Sequence, residues 1–160
     1  TQADVLGIFG REGLDMAFLW APLGLDDPFA YAFRLYRNYD GAGSAFGDIS
    51  VGATSSDQEK LAIYAAQRSR DQALTMMVIN KSNDTLVSTV TIQGSHLSSV
   101  AQVFRYSAAN LHAVEALPDQ PLTPTGIQDT FPGQSITLFV LQSSSGNNLS
   151  TPVLKATATP

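Results

Sequence analysis

The chain has 160 residues, enough for one ordinary domain with a sizeable core. Its net charge of −5 argues against nucleic acid and anionic membranes as partners, and the absence of cysteine excludes disulfides and cysteine metal sites. No apolar run approaches the roughly 18 residues of a membrane span. Only 14% of the residues are charged, and a surface of Ser, Thr, Gln, Asn and Ala is typical of an exported protein. Because the chain starts with neither a methionine nor a signal peptide, we expect a piece of a longer protein.

The first predicted element is a helix over residues 2–10. Gly7 lies inside it and weakens a helix by up to about 1 kcal/mol relative to alanine, so we expect it to pack closely on a neighbour. A glycine at position 10 or 13 can end the helix. Its predicted apolar face consists of Val5, Leu6, Ile8 and Phe9.

The next two predicted elements are a buried strand over residues 14–20, which ends in Trp20, and a helix over residues 28–39. Asp27 is the N-cap candidate of that helix, and Pro28 suits its first position. The order helix, strand, helix is typical of a parallel α/β layer. The predicted apolar face of the second helix consists of Phe29, Ala32, Phe33 and Tyr36.

After residue 43 the pattern predicts only strands, as in a β-sandwich. Residues 61–92 are predicted to form three consecutive antiparallel strands. The middle one, over residues 73–80, is apolar on both faces and is therefore placed inside a sheet. The other strands of this part are predicted over residues 48–54, 61–67, 86–92, 100–106, 112–117 and 135–141.

These patterns divide the chain into residues 1–42, a sandwich over 43–142, and a Ser/Thr/Pro-rich linker or edge strand over 143–160. The first unit is too small to close its own core. We therefore expect it to dock on the sandwich or on polypeptide outside this sequence.

The residues that carry chemistry are few. Glu12, Glu59 and Glu115 have no spacing that suggests a converging pair, so we predict no catalytic residue. His96 and His112 have no acidic neighbours, so we predict neither a metal site nor a cofactor. Trp20, the only tryptophan, is either a core residue or a platform that stacks on a sugar ring at the rim of a barrel.

Several runs resemble glycoside hydrolase family 44. They are residues 1–13 (TQADVLGIFGREG), Leu19-Trp20, residues 31–41 (YAFRLYRNYDG), 57–69 (DQEKLAIYAAQRS) and 76–81 (MMVINK). Residues 131–141 (FPGQSITLFVL) are similar to the last strand of the sandwich that accompanies barrel glycosidases.

The resemblance implies a mainly β fold, namely an antiparallel β-sandwich preceded by the last helix–strand–helix of a (β/α)8-like barrel. It also implies a retaining β-1,4-glucanase whose two catalytic glutamates lie upstream of this sequence. Trp20 matches a tryptophan that lines the family's substrate cleft, and Glu12 matches a position that is not catalytic.

We therefore expect the C-terminal part of a secreted bacterial glucanase, inactive alone, that meets a β-glucan through the intact enzyme. Its other expected partner is the upstream barrel chain or a second copy of itself. The alternative is a non-catalytic β-sandwich that binds polysaccharide or protein, and such a module usually shows two or three exposed aromatic residues in a row.

Overall fold

The computed structural model describes residues 2–20, 24, 26–93 and 97–144, together with the backbone of 153–157. Within these residues, two helices precede nine strands. The helices are α1 (Gln2–Arg11) and α2 (Pro28–Arg37). The strands are β1 (Ile49–Val51), β2 (Leu61–Gln67), β3 (Leu74–Asn80), β4 (Leu86–Gln93), β5 (Val100–Ser107), β6 (Asn110–Pro121), β7 (Ile127–Phe131), β8 (Ser135–Leu141) and β9 (Val153–Thr157).

The strands form two antiparallel sheets, one of six strands in the order β1-β2-β3-β8-β5-β6 and one of three in the order β7-β4-β9. Their inner faces share one apolar core, in which Ile63 and Val78 of the large sheet pack with Val90 and Phe131 of the small one. The predicted antiparallel β-sandwich is confirmed.

Strand β3 lies in the middle of the large sheet, as its pattern predicted. All seven of its residues are buried, because the small sheet covers one face and the helices cover the other. Val78 lies opposite Ile63 of β2 and Thr137 of β8. A strand that is apolar on both faces thus indicated the centre of the fold correctly.

The predicted three-strand meander over residues 61–92 is wrong, because β4 belongs to the small sheet and β8 lies beside β3. Asn80 ends β3 and redirects the chain. Its amide nitrogen donates to the carbonyls of Asp84 at 2.8 Å and Phe131 at 2.9 Å, while its side-chain oxygen accepts the Ser82 N–H at 3.0 Å. A buried polar side chain with all its bonds satisfied fixes one arrangement of this crossover.

The two helices pack on the outer face of the large sheet, so the expected docking of this part on the sandwich is confirmed. The predicted faces are only partly right. The helix α1 buries Ala3 and Gly7, while Val5 is 36% exposed. The helix α2 buries Tyr31, Ala32, Leu35 and then Tyr39 beyond its end, whereas Phe29, Phe33 and Tyr36 are half-buried.

The reason for the shifted face lies in the composition of α2, which has large apolar residues on two overlapping stripes. Its sequence, PFAYAFRLYR, therefore does not by itself select which stripe meets the sheet. Asp27 occupies the predicted N-cap position with extended backbone, but its carboxylate accepts the Gly24 N–H at 2.7 Å instead of capping the helix.

The remaining strands differ in part from the predicted ones. Within the region predicted as a linker or edge strand, β9 pairs with β4 at the edge of the small sheet. Strand β7 was missed, and β6 is longer than predicted. His96 lies outside the described residues.

Candidate functional site

The candidate site is the segment from Leu14 to Trp20, which joins α1 to the loop before α2. The predicted buried strand is wrong here, because the segment has no regular secondary structure and all seven residues are exposed. A strand needs a neighbour for its backbone groups, and within the described residues no strand pairs with this one. Trp20 is 99% exposed, which excludes a core role for it in this chain.

Large apolar side chains are exposed along this segment. Leu14 is 50% exposed, Met16 69%, Phe18 88% and Leu19 45%, and the run ends at Trp20. Phe18 and Trp20 are also the only exposed aromatic residues in the part of the chain that the structure describes. The segment thus offers an aromatic surface, and an exposed indole face is suited to stack on a sugar ring.

The segment starts from a fixed point because α1 is held firmly on the sheet. The Leu14 N–H donates to the Phe9 carbonyl at 2.9 Å, which ties the segment to the end of α1. Near the start of α1, the Asp4 carboxylate accepts the Tyr64 hydroxyl at 2.6 Å and the Lys81 ammonium at 2.9 Å. The Asp4 and Lys81 side chains are only 15% and 23% exposed, so this ion pair is partly shielded from water.

Electrostatics strengthen this anchor. Burial and the hydrogen bond to the Asp4 carboxylate raise the pKa of Tyr64 to about 12. The phenol therefore stays protonated and keeps donating to Asp4 throughout the neutral range. Burial likewise raises the pKa of Tyr36, whose hydroxyl donates to the Ala3 carbonyl at 3.1 Å and joins α2 to α1.

The other end of the helical unit is held by a buried arginine. Arg68, 6% exposed, follows β2 and donates to the Tyr39 hydroxyl at 2.9 Å and to the Ala45 carbonyl at 3.2 Å. Its Nε donates to Asp71 at 2.8 Å. Tyr31 of α2 also stacks on Tyr106 of β5 with the ring centroids 4.6 Å apart. Sequence patterns did not reveal these contacts, because the partners lie far apart in the chain.

The structure places the three glutamates on separate elements. Glu12 follows α1 and pairs with Arg11 at 2.9 Å, Glu59 is exposed in the loop before β2, and Glu115 lies on β6. The described part of the chain holds no group of three or more acidic or histidine side chains placed to bind a metal. That none of these residues is catalytic stays a prediction, as does the sugar contact of Trp20.

Neither helix in the described residues has the length and apolar content that a membrane crossing requires.

No family model matches the chain. Among solved structures, it is similar over 89% of its length to CelM2, a bifunctional glucanase-xylanase from a metagenome library, with 43% identity and a TM-score of 0.85. It is similar over 89% of its length to a Paenibacillus polymyxa xyloglucanase from glycoside hydrolase family 44, with 26% identity and a TM-score of 0.78. It covers 27% and 28% of those two chains.

Among curated proteins, the chain is 41% identical over 85 residues to endoglucanase A of Paenibacillus lautus. That match takes in 52% of this chain and 12% of the relative. A β-mannanase/endoglucanase A of Caldicellulosiruptor saccharolyticus is 41% identical over 83 residues, which are 51% of this chain and 6% of the relative.

The two-sheet sandwich with its two packed helices is therefore similar to one part of a solved glucanase-xylanase and of a solved xyloglucanase. The resemblance to glycoside hydrolase family 44 is confirmed, and the chain corresponds to about a quarter of the length of the solved family members.

Proposed function

We propose that this chain is the C-terminal part of a secreted bacterial retaining β-1,4-glucanase that acts on cellulose, xyloglucan or a related plant polysaccharide. In this proposal the sandwich is structural, Trp20 lines the substrate cleft, and the catalytic glutamate pair lies outside these 160 residues. The observation that supports it most directly is the similarity to CelM2 over 89% of this chain but only 27% of that enzyme.

The exposed segment supports the same proposal. Leu14, Met16, Phe18 and Trp20 present an apolar strip in water, and such strips on soluble proteins usually mark an interaction site. We propose that the missing part of the enzyme covers this strip, while the Trp20 ring remains at the cleft. The exposed aromatic residues of the described chain lie on this strip and not on the sandwich, so an independent carbohydrate-binding sandwich is less well supported.

The experiment compares the chain alone with the longer protein that contains it. The chain alone should release no reducing ends from carboxymethyl-cellulose or xyloglucan, while the longer protein should hydrolyse at least one of them. Reproducible hydrolysis by the pure 160-residue chain, after a control for contaminating cellulase, would contradict the proposal.

The role of Trp20 is tested in the longer protein. Aromatic stacking contributes about 0.5–1.5 kcal/mol, so Trp20→Ala should lower kcat/KM by roughly 2- to 10-fold. Trp20→Phe should retain most of the activity because it keeps an aromatic face. Val87→Ala, on the outer face of β4, is the matched control and should leave the kinetics unchanged. If Trp20→Ala and the wild type have equal kcat/KM, Trp20 does not line the cleft.

The proposed partner is tested by fluorescence, since Trp20 is the only tryptophan in the chain. Adding the separately produced upstream chain, with its own tryptophans replaced by phenylalanine, should shift Trp20 emission to the blue and reduce its quenching by iodide. A parallel sedimentation run tests whether the chain instead associates with itself. The proposed covering of the strip is refuted if Trp20 emission does not change when the upstream chain is added and if the 160-residue chain sediments as a monomer both alone and in the mixture.

A further inference from the structure

The segment 14–20 lies between two helices that both pack on the outer face of the large sheet. At its start, the Leu14 N–H donates to the Phe9 carbonyl at 2.9 Å and so bonds the segment to the last turn of α1. Beyond its end, α2 is held by Tyr31, which stacks on Tyr106 of β5. The sandwich therefore supports the segment from both sides.

One carboxylate joins α1 to two neighbouring strands of that sheet. Asp4, in the first turn of α1, accepts the Tyr64 hydroxyl of β2 on one oxygen at 2.6 Å. Its other oxygen accepts the ammonium of Lys81, which directly follows β3, at 2.9 Å. The Asp4 and Lys81 side chains are 15% and 23% exposed, so the ion pair is partly shielded from water. Hydrogen bonds to charged groups are short and directional, so these two bonds fix the place of α1.

The other contacts of α1 with the sheet are mainly apolar. Ala3 and Gly7 are buried, and Leu6 and Ile8 pack against the same cluster of side chains. Apolar burial is non-directional, so it keeps α1 on the sheet but fixes its orientation less sharply. Loss of the Asp4 bonds should therefore allow α1 to tilt while it stays docked.

A tilt of α1 is transmitted to the segment that carries Trp20. The helix has 10 residues, so its ends are about 15 Å apart, and a small tilt displaces the far end, where the segment begins. Misplacement of a group at a substrate site by about 1 Å is enough to lower the rate of an enzyme.

We propose that Asp4 is a positioning residue for Trp20. Through Tyr64 and Lys81 it fixes α1, and α1 sets where the indole ring meets a sugar. The inference rests on the proposed function, because it needs Trp20 at the substrate cleft. It gives the sandwich a part in substrate binding in addition to its structural part.

The kinetics of four longer proteins test this role, namely the wild type, Asp4→Ala, Trp20→Ala and the double variant. Asp4→Ala should lower kcat/KM roughly 2- to 5-fold, no more than the loss expected for Trp20→Ala, and through the same parameter, KM or kcat. In the Trp20→Ala background it should cause no further loss, since no indole ring is left to position. Losses that multiply in the double variant would overturn the inference.

A second ion pair of the sandwich serves as the matched control. Arg105 and Asp129 lie 2.7 Å apart with side chains 13% and 12% exposed, and neither belongs to α1. Asp129→Asn should lower the melting temperature but leave kcat/KM unchanged when each protein is assayed well below its own melting temperature. An equal loss of kcat/KM in Asp129→Asn and Asp4→Ala would assign the effect to stability and refute a positioning role.

A change on the sandwich side of the contact gives an independent measurement. Lys81→Met breaks the ion pair but leaves the Tyr64 hydroxyl donating to Asp4, so α1 should stay docked. It should cause a smaller loss of kcat/KM than Asp4→Ala, and this loss should also vanish in the Trp20→Ala background. A Lys81→Met protein with the kcat/KM of the wild type would contradict the inference.

The same kinetics separate this inference from the proposed function. If Trp20→Ala lowers kcat/KM and Asp4→Ala does not, Trp20 keeps its place at the cleft and the positioning role is wrong. If Trp20→Ala itself has no effect, both the cleft position of Trp20 and the positioning role of Asp4 are wrong.

Discussion

Gly7 offers the sharpest test of how α1 is held on the sheet. Replacing a helical glycine by alanine normally stabilises a protein, by up to about 1 kcal/mol. Here a Cβ atom at position 7 would overlap the ring of Tyr64, which is 5% exposed and held by its hydrogen bond to Asp4 at 2.6 Å. The ring has little freedom to move away, so the sign of the effect should be reversed.

The magnitude follows from the two opposing effects. Overpacking of this kind costs about 1–3 kcal/mol, which leaves Gly7→Ala neutral to about 2 kcal/mol destabilising. Gly10→Ala is the matched control in the same helix, because a Cβ atom there meets nothing within 4 Å. The two variants should differ by about 1–3 kcal/mol, and each kcal/mol moves the melting temperature by about 2–4 °C.

The assay is thermal and urea unfolding of both alanine variants followed by circular dichroism. Adding Tyr64→Leu to Gly7→Ala should remove most of the clash, so the two changes together should cost less than the sum of the single changes. If Gly7→Ala stabilises the chain as much as Gly10→Ala does, the close approach of α1 to β2 is not what restricts position 7.

Three further changes test the sandwich itself. Val78→Asp buries an unpaired carboxylate at a position only 1% exposed and should leave the chain unfolded or insoluble on expression, because its cost of several kcal/mol is large against a total stability of about 5–15 kcal/mol. The Arg105 guanidinium lies 2.7 Å from the Asp129 carboxylate, and the two side chains are 13% and 12% exposed. Asp129→Asn removes the charge partner of Arg105 and should lower the free energy of unfolding in urea by about 3–5 kcal/mol. The double variant Arg105→Met with Asp129→Leu should recover much of that loss. Burial alone would raise the pKa of Asp71, but hydrogen bonds from Arg68 and the backbone outweigh burial and lower that pKa. Asp71 therefore stabilises the fold above pH about 4, and this contribution is lost as the pH falls through the lowered pKa. Asp71→Asn should therefore reduce the acid dependence of stability measured between pH 2 and about 5.

Each of these changes has a control or a contrary outcome on the same fold. Val87→Asp, at a position 53% exposed on β4, should stay soluble, and a soluble Val78→Asp with an unchanged melting temperature would place β3 at the surface. A double variant no more stable than Asp129→Asn would show that the ion pair is not the source of the loss. Asp119 is exposed on β6, so Asp119→Asn should leave the loss of stability at acid pH unchanged. If Asp71→Asn loses stability at acid pH as the wild type does, Asp71 does not contribute to this pH dependence.

The sequence predicted the centre of the sandwich better than its connections. The boundaries of β2 and β8 and the burial of β3 follow from short runs of apolar residues, which report local burial directly. Which strand lies beside β3 depends instead on the bonds of Asn80 to Phe131, 51 residues away. No local pattern carries that information, so a meander was the natural but wrong prediction.

The sequence singles out Trp20 as a candidate site residue but does not predict its exposure. Trp20 and its apolar neighbours were recognised as a strand because five of the last five residues in the run are apolar. The same side chains are exposed in this chain, since a strand is stable only when neighbours pair with its backbone and cover its faces. An apolar run thus predicts a strand only where a partner strand is available, and within the described residues no strand pairs with this one.

The uncovered apolar strip starts at the C-terminal end of α1, where the N–H of Leu14 is bonded to the carbonyl of Phe9. The opposite side of α1 is already occupied, because Asp4 and Gly7 contact Tyr64 and fix the helix on the sheet. Additional polypeptide at this end of α1 would therefore cover the strip without displacing the helix. In that arrangement the sandwich holds α1 in place, and α1 in turn sets where the segment with Trp20 starts.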